Sequence, residues 1–385
     1  MKLALLGCDS EMLGVARAAV DAGDQIVWFH DAGEHAGELR RIAPRAIAAD
    51  AWEGLLAQNE VEAVLVARGD EELRADQLRK LAQEGLALLV SHPVVESMLL
   101  YYELEMIRGE QQTLLVPCLP MRLHPAVVRL QALAGEGNSE GVGRLEQVTL
   151  ERSLADCQRH QVLVQFARDA DLARALCGEL NKLTATASPD ESARYSSLTV
   201  QLAGMAGAAV RWSVEPASAG NFLRITLRGS RGKAALTLNE ERPDAVTGRM
   251  EYTSDGTQRV ENFAAWSGNA MALDVFHQAV AGQPPSPDWI DAARSVELAE
   301  TIDRSLRKGR TIELHFEDYS EEATFKGTMT SLGCGLLMLG LILLFVAALA
   351  ARAGVSCAGY YLYGLLAVLG LFLLLQLFKF VFPPE

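Results

Sequence analysis

Residues 1–19 read MKLALLGCDSEMLGVARAA, and this stretch decides the fold. Residues 3–6 form a short apolar run, which ends at Gly7. From Met12 onward, apolar residues recur at the three- and four-residue spacing of a helix. A strand, a glycine turn and a helix in this order are typical of the start of a doubly wound nucleotide-binding domain. We therefore expect an N-terminal Rossmann domain, which is a parallel sheet with helices on both faces.

The turn after the first strand retains only part of a dinucleotide-binding fingerprint. That fingerprint reads G-x-G-x-x-G, and its second and third glycines allow close approach of the pyrophosphate and of the helix. Gly7 matches the first glycine, whereas Asp9 and Met12 replace the other two. The carboxylate of Asp9 would repel a pyrophosphate and would itself cap the helix by accepting from its free amides. The turn therefore predicts weakened or lost dinucleotide binding.

Further strands alternate with helices as far as residue 120, which predicts a parallel sheet and a first domain over residues 1–120. Asp31 follows the second strand, where an acidic residue can accept from the ribose hydroxyls of a dinucleotide. It is equally compatible with a turn carboxylate before the next helix. The predicted strands after the first are residues 25–29, 61–67, 86–90 and 113–116.

The pattern changes in the second half of the chain. Apolar and polar residues alternate with period two in residues 197–203, 208–214 and 222–229, as in strands with one covered face. We expect a second α/β domain over residues 121–316, with an open-faced, mostly antiparallel sheet. Helices over residues 270–281 and 289–307 close this domain.

Two long apolar stretches follow a linker over residues 317–327. Residues 328–351 and 357–380 are each long enough for a bilayer span of about 20 residues, and a short connector joins them. They predict two transmembrane helices arranged as a hairpin. The apolar run before Cys8 is shorter than the roughly 7 to 15 residues of a signal h-region. We therefore expect a multi-pass protein of the cytoplasmic membrane, with the globular domains and both termini in the cytoplasm.

Composition excludes several classes of function. A chain of 385 residues is long enough for about two domains, and a net charge of −14 argues against a nucleic-acid partner. The six cysteines form no C-x-x-C pair, so neither a disulfide framework nor a zinc site is indicated. The seven histidines show no metal-ligand spacing, and we expect no metal.

Four segments resemble the Gfo/Idh/MocA oxidoreductases, which are NAD(P)-dependent sugar and polyol dehydrogenases. They are residues 61–66 (a D-A-V-x-V strand), 121–125 (R-R-F-x-P), 168–178 (H-D-I-D-L-x-R-x-L-x-G) and 291–310 (a closing helix that ends in S-x-x-x-G-R). The resemblance covers residues 1–314 and implies the two-domain fold already expected. Asp171 and Arg174 match framework residues of the family.

The family's functional positions are substituted in this chain. The lysine of its E-K-P triplet is replaced by His92, which is either a proton-exchanging group or a turn residue that caps a strand. The catalytic histidine is replaced by Arg168, which cannot act as a general base at physiological pH. The acidic residue four positions earlier is replaced by Val164. Asp169 is retained, and we expect it to supply charge near a helix N-terminus.

Two hypotheses of function follow from this pattern. In the first, the protein is a membrane-anchored pseudoenzyme that binds a ligand or partner, with NAD or NADP binding weakened or lost. In the second, it is a working NAD(P)-dependent dehydrogenase with a rebuilt site, in which His92, Arg122, His124 and Arg168 act on substrate. Arg122 and Arg168 would then clamp an anionic substrate, and His92 would handle the proton. A homo-oligomer through the open sheet face is a further expectation.

Overall fold

The computed structural model describes residues 1–314 except 59, 136–140, 189–193, 205–206, 218–219, 241, 243 and 255; beyond 314 it describes only 345 and 352. The chain divides into two units, Met1–Leu314 and His315–Glu385, and the first is compact. The first unit contains two sheets and eight described α-helices.

The first sheet is parallel and six-stranded, in the order β3-β2-β1-β4-β5-β6. Its order reverses between β1 and β4, which is the switch point where doubly wound folds bind ligands. The predicted Rossmann domain is therefore confirmed as a fold. Its elements are β1 Lys2–Leu6, α1 Ser10–Asp21, β2 Gln25–His30, α2 Ala36–Ile42, β3 Ile47–Ala48, β4 Ala63–Val66, α3 Glu71–Gln83, β5 Ala87–Ser91, α4 Met98–Gln111 and β6 Leu115–Cys118.

Buried side chains cover both faces of this sheet. On one face Leu3 and Leu5 pack in the same cluster as Met12 of α1. On the other face Ala4 and Leu6 belong to a cluster that extends to Trp289, far along the chain from the first strand. Burial on both faces explains why the strands read as nearly continuous apolar runs rather than alternating ones.

The second sheet has nine strands in the order β14-β13-β12-β11-β7-β10-β9-β8-β15. Among the described strands of this second sheet, only the β7–β10 pair is parallel, so the sheet is mostly antiparallel as predicted. Its strands are β7 Leu145–Leu154, β8 Leu180–Thr186, β9 Thr199–Gly204, β10 Ala209–Pro216, β11 Phe222–Gly229, β12 Gly232–Asn239, β13 Val246–Ser254, β14 Thr257–Trp266 and β15 Ile312–Glu313.

Helices cover one face of the second sheet and leave the other open. In β11 the side chains of Leu223, Ile225 and Leu227 are fully buried, whereas Arg224 and Arg228 are exposed. The covering helices are α5 Pro125–Ala134, α6 Arg159–Cys177 and α8 Trp289–Lys308, and α7 Gly268–Val280 packs against α1. Because α8 also packs against α4, the last helices of the unit contribute to the core of the first sheet.

The predicted linker and transmembrane helices, residues 317–327, 328–351 and 357–380, lie outside the described residues except for residue 345. Within the part of the chain that the structure describes, no helix has the length and apolar character needed to span a membrane.

Candidate active-site cavity

A cavity of about 240 Å³ lies at the carboxyl edge of the first sheet, where that edge meets α6 and the second sheet. The start of α1 and the residues that follow β4 and β6 line one side, and β7, α6 and the start of α7 line the other. Arg168 is the predicted site residue that lines it, and Glu11, Arg68, Arg152 and Glu240 also do so.

The start of α1 is occupied by the protein's own carboxylate. Gly7 turns the chain with a φ of 73°, a conformation that favours glycine. The Oδ1 atom of Asp9 accepts from the backbone nitrogen of Met12 at 2.8 Å, so the predicted helix cap is confirmed. The Met12 side chain is completely buried in the core. The two residues that replace fingerprint glycines therefore cap the helix and fill the space beneath it.

The other oxygen of Asp9 also has partners. Its Oδ2 atom lies 3.4 Å from Nε of Arg68 and accepts from the hydroxyl of Ser91 at 3.3 Å. Glu11, in the first turn of α1, accepts from Nη2 of Arg168 at 2.7 Å and lies 3.8 Å from Nη2 of Arg68. The positive end of the α1 dipole thus faces two carboxylates, and two arginines neutralise them.

Arg168 is held rigidly at the cavity wall. Its Nε atom donates to the backbone oxygen of His92 at 2.7 Å while its Nη2 atom donates to Glu11. Burial acts to lower the pKa of Arg168, but Glu11 and neighbouring acidic groups hold the pKa above its usual value. This side chain is a fixed cation and an anchor between α6 and β5.

The His92 ring is a buried core group and does not line the cavity. It is 1% exposed, and its Nε2 atom lies 2.9 Å from the hydroxyl of Ser295, which itself donates to the backbone oxygen of Ala292. Nε2 must therefore carry the proton, and Nδ1 is the atom that faces the Tyr101 hydroxyl at 3.5 Å. Burial, followed by the charges of two nearby arginines, lowers the pKa of His92 well below its usual value.

Arg122 and His124 are engaged in the framework. Arg122 makes an ion pair with Asp171 and donates to Asp291 at 2.8 Å. Burial acts to raise the pKa of Asp291, but Arg122 and Arg174 bring the pKa below its usual value. His124 is fully buried, and its Nδ1 atom accepts from the backbone nitrogen two residues later at the start of α5.

Asp31 lies away from the cavity, after β2. Its backbone adopts a left-handed φ of 55°, and its side chain is 59% exposed. The Oδ2 atom lies 3.7 Å from Nη2 of Arg74, a residue of α3 that the sequence analysis did not single out.

A buried cluster of Arg152, Asp169 and Glu240 lines the cavity. The position of Asp169 in this cluster corrects the prediction that it lies near a helix N-terminus. Asp169 lies in the middle of α6, not near its N-terminus, and its Oδ2 atom accepts from Nε of Arg152 at 2.9 Å and from Nε1 of Trp212 at 2.8 Å. Arg152 also donates to Glu240 at 2.6 Å. The expected helix-end role was wrong because the helix begins ten residues earlier, at Arg159.

The residues present do not fit a dinucleotide at the α1 turn. Asp9 takes the amide that a pyrophosphate would use, and any side chain at this position obstructs close approach of the backbone. No cluster of three or more metal-ligating side chains occurs among the described residues.

The class that the fold defines is a two-domain one, with a Rossmann domain followed by an open-faced sheet domain. Among solved structures, a myo-inositol dehydrogenase from Corynebacterium glutamicum ATCC 13032 is similar, with 20% identity, a TM-score of 0.63 and coverage of 82% of this chain and 99% of the other. An oxidoreductase from Agrobacterium radiobacter, in complex with NAD+, L-tartaric acid and magnesium, has 16% identity, a TM-score of 0.67 and coverage of 81% and 98%.

A 3-ketoreductase from Actinomadura kijaniata, in complex with NADP, has 16% identity, a TM-score of 0.66 and coverage of 82% and 99%. The resemblance to Gfo/Idh/MocA oxidoreductases is thus confirmed for the fold. No family model and no curated protein sequence matches this chain.

Proposed function

We propose that this protein is a Gfo/Idh/MocA-type scaffold that binds a ligand or partner without hydride transfer. The observation that carries the proposal is the charge network at the start of α1. Asp9 caps the helix there, Glu11 lies in its first turn, and both carboxylates are paired with arginines. A carboxylate held covalently at a phosphate position competes with incoming phosphate at high effective concentration.

The positions that carry chemistry in the family support the same proposal. His92 is neutral and buried, its Nε2 proton is donated to Ser295, and its ring does not line the cavity, so it presents no proton to a substrate there. Arg168 is committed to Glu11 and to a backbone oxygen. Val164, at the position of the family's carboxylate, is buried and cannot ionise. No general base remains at these positions.

The deciding experiment is calorimetric titration of the protein with NADH and NADPH. We expect weak or no binding, because Asp9 already accepts from the Met12 amide and places a carboxylate at the start of α1. Micromolar binding of either dinucleotide by the unmodified protein would refute the proposal.

A working NAD(P)-dependent dehydrogenase is the second candidate. It is supported by the fold, since solved structures with this fold were crystallised with NAD+ or NADP, and by a cavity at the expected edge of the sheet. Its residues would differ from the predicted clamp, because Arg122 is paired with Asp171 and Asp291. Turnover of either dinucleotide would favour this candidate.

We also propose that residues 328–351 and 357–380 anchor the protein in the cytoplasmic membrane as a two-helix hairpin. The support is their length and lack of charged residues over 328–351 and 357–378. Alkaline carbonate should leave the full chain in the membrane fraction, and protease added to intact cells should not cut the globular domains. We further propose that copies of this chain assemble through the open face of the second sheet. Light scattering of the protein in detergent, which measures its mass, tests this proposal.

A further inference from the structure

The second sheet ends in a long strand with an unpaired edge. β14 comprises ten residues, and among the described strands it pairs only with β13. Its residues 257–260, 262, 264 and 265 are all exposed. The edge of a sheet presents a row of backbone N–H and C=O groups that can pair with another chain. Because β14 contains no proline, every one of its residues has an N–H donor for such pairing.

The register of the hairpin formed by β13 and β14 identifies the backbone groups on this edge. Ser254 pairs with Thr257, with only two residues between them, so they form a hydrogen-bonded pair. Hydrogen-bonded and non-hydrogen-bonded pairs alternate along an antiparallel ladder. Val260 lies three positions beyond Thr257, so its pair with β13 is non-hydrogen-bonded. The N–H and C=O groups of Gln258, Val260 and Asn262 therefore point outward, away from β13.

The sequence around Val260 is complementary to its own reverse. The five residues from Gln258 read QRVEN, in which an amide, a cation, an apolar residue, an anion and an amide follow one another. If two copies of β14 pair antiparallel about Val260, Arg259 lies opposite Glu261 of the second copy. Gln258 then lies opposite Asn262. The two-fold axis passes through a hydrogen-bonded pair, which is the geometry that outward-pointing backbone groups at Val260 require.

The side chains at this edge are available for these contacts. Val260 is 49% exposed, and Arg259 is exposed as well. Glu261 is partly exposed, and its Oε1 atom accepts from Arg129 and from the hydroxyl of Tyr252. Its Oε2 atom has no partner among the described residues. Opposite charges and apolar side chains that face each other across an antiparallel pair stabilise it.

We propose that β14 is a self-association edge, at which two copies of this chain pair antiparallel about Val260 and join their second sheets into one. This interface uses the backbone edge of the sheet and is separate from assembly through its open face. It does not depend on whether the protein binds a dinucleotide. A second copy is favoured over an unrelated extended peptide because the sequence from Gln258 to Asn262 is complementary to itself.

Disulfide cross-linking of the full chain in detergent tests this register. Val260→Cys should cross-link to itself under a mild oxidant, because the Cα atoms of a hydrogen-bonded pair lie about 5.5 Å apart, a separation that a disulfide can span. Gln258→Cys and Asn262→Cys are the matched controls. Neither should cross-link alone, since the two copies of either residue are displaced by about 14 Å along the strands. A mixture of the two controls should cross-link.

The wild type under the same oxidant gives the background from the six native cysteines. Absence of a cross-link in Val260→Cys above this background would overturn the inference. Equal cross-linking by Asn262→Cys alone would also overturn it, because the pairing would then not be centred on Val260.

A proline substitution tests the backbone hydrogen bonds. Val260→Pro removes an outward-pointing N–H group, a position at which an edge strand tolerates proline. Sedimentation equilibrium should show association weakened at least about tenfold, because the two-fold axis makes each dimer lose two donors. Val260→Thr is the matched control, since it is β-branched and retains the donor, and it should associate as the wild type does.

The two remaining outcomes of the proline experiment would contradict the inference. Loss of fold in Val260→Pro, measured by circular dichroism, would show that this N–H group is bonded to β13. Association that Val260→Pro leaves unchanged would show that copies meet elsewhere, as they would at the open face of the sheet.

Discussion

Replacing Asp9 with glycine should open the start of α1 to a pyrophosphate. Glycine is tolerated at a helix N-cap at a cost of only a few tenths of a kcal/mol. Loss of the partly exposed contact with Arg68 adds no more than about 1 kcal/mol. The variant should therefore fold. Met12 is unsuitable for the same test, because its side chain is completely buried and truncation would cost roughly 2–5 kcal/mol.

The expected gain in affinity follows from the charge that is removed. A carboxylate and a phosphate about 4 Å apart repel each other by about 4 kcal/mol at an effective dielectric constant of about 20. Even a third of that energy, about 1.4 kcal/mol, corresponds to a tenfold change in the dissociation constant. The substitution also releases Nε of Arg68 from Asp9, so that this atom can contact the phosphate. We expect at least a tenfold gain for NADH or NADPH.

Calorimetry on wild type, Asp9→Gly and Asp9→Asn checks this reasoning. Asn caps a helix as well as Asp does, so Asp9→Asn removes the charge and retains both the cap and the side-chain bulk. If the affinity of Asp9→Asn for dinucleotide lies between those of wild type and Asp9→Gly, both the charge and the bulk of the Asp9 side chain hinder binding. If Asp9→Gly is folded by circular dichroism and binds dinucleotide no better than wild type, the α1 turn is not what prevents binding.

Further substitutions test two sets of buried groups. His92 stays neutral in the folded protein, whereas the unfolded chain takes up a proton near pH 6.5, so the free energy of unfolding should fall as the pH drops below 6.5. His92→Gln should remove up to about 2 kcal/mol of that loss between pH 6.5 and 5, measured by urea unfolding. Arg152→Met should lower the free energy of unfolding by roughly 3–5 kcal/mol, because Asp169 would be left as an unpaired buried charge. Adding Asp169→Asn to this variant should recover part of the lost stability. If the effects of the two substitutions are additive, the two side chains are not coupled as the structure indicates.

Local patterns were sufficient to predict the elements and the helix cap. The apolar runs of β1, β4 and β5 indicate a parallel sheet because both of their faces are buried. Asp9 could be recognised as a cap because the amide that it accepts from lies only three residues away. One buried charge also had a local signal, since Arg152 falls on the covered face of β7 by the same alternation that buries Val148 and Leu150.

The sequence by itself determined the two-sheet architecture and the damage to the dinucleotide fingerprint, because both depend on residues close together in the chain. The tertiary structure decided which charges are neutralised. Arg168 meets Glu11 across 157 positions, and His92 meets Ser295 across 203. Whether a histidine is a catalytic group or a core residue depends on such distant partners and on burial. In the sequence Arg74 likewise resembles an ordinary helical arginine, and only the structure shows that its side chain lies against Gly7 and Gly69.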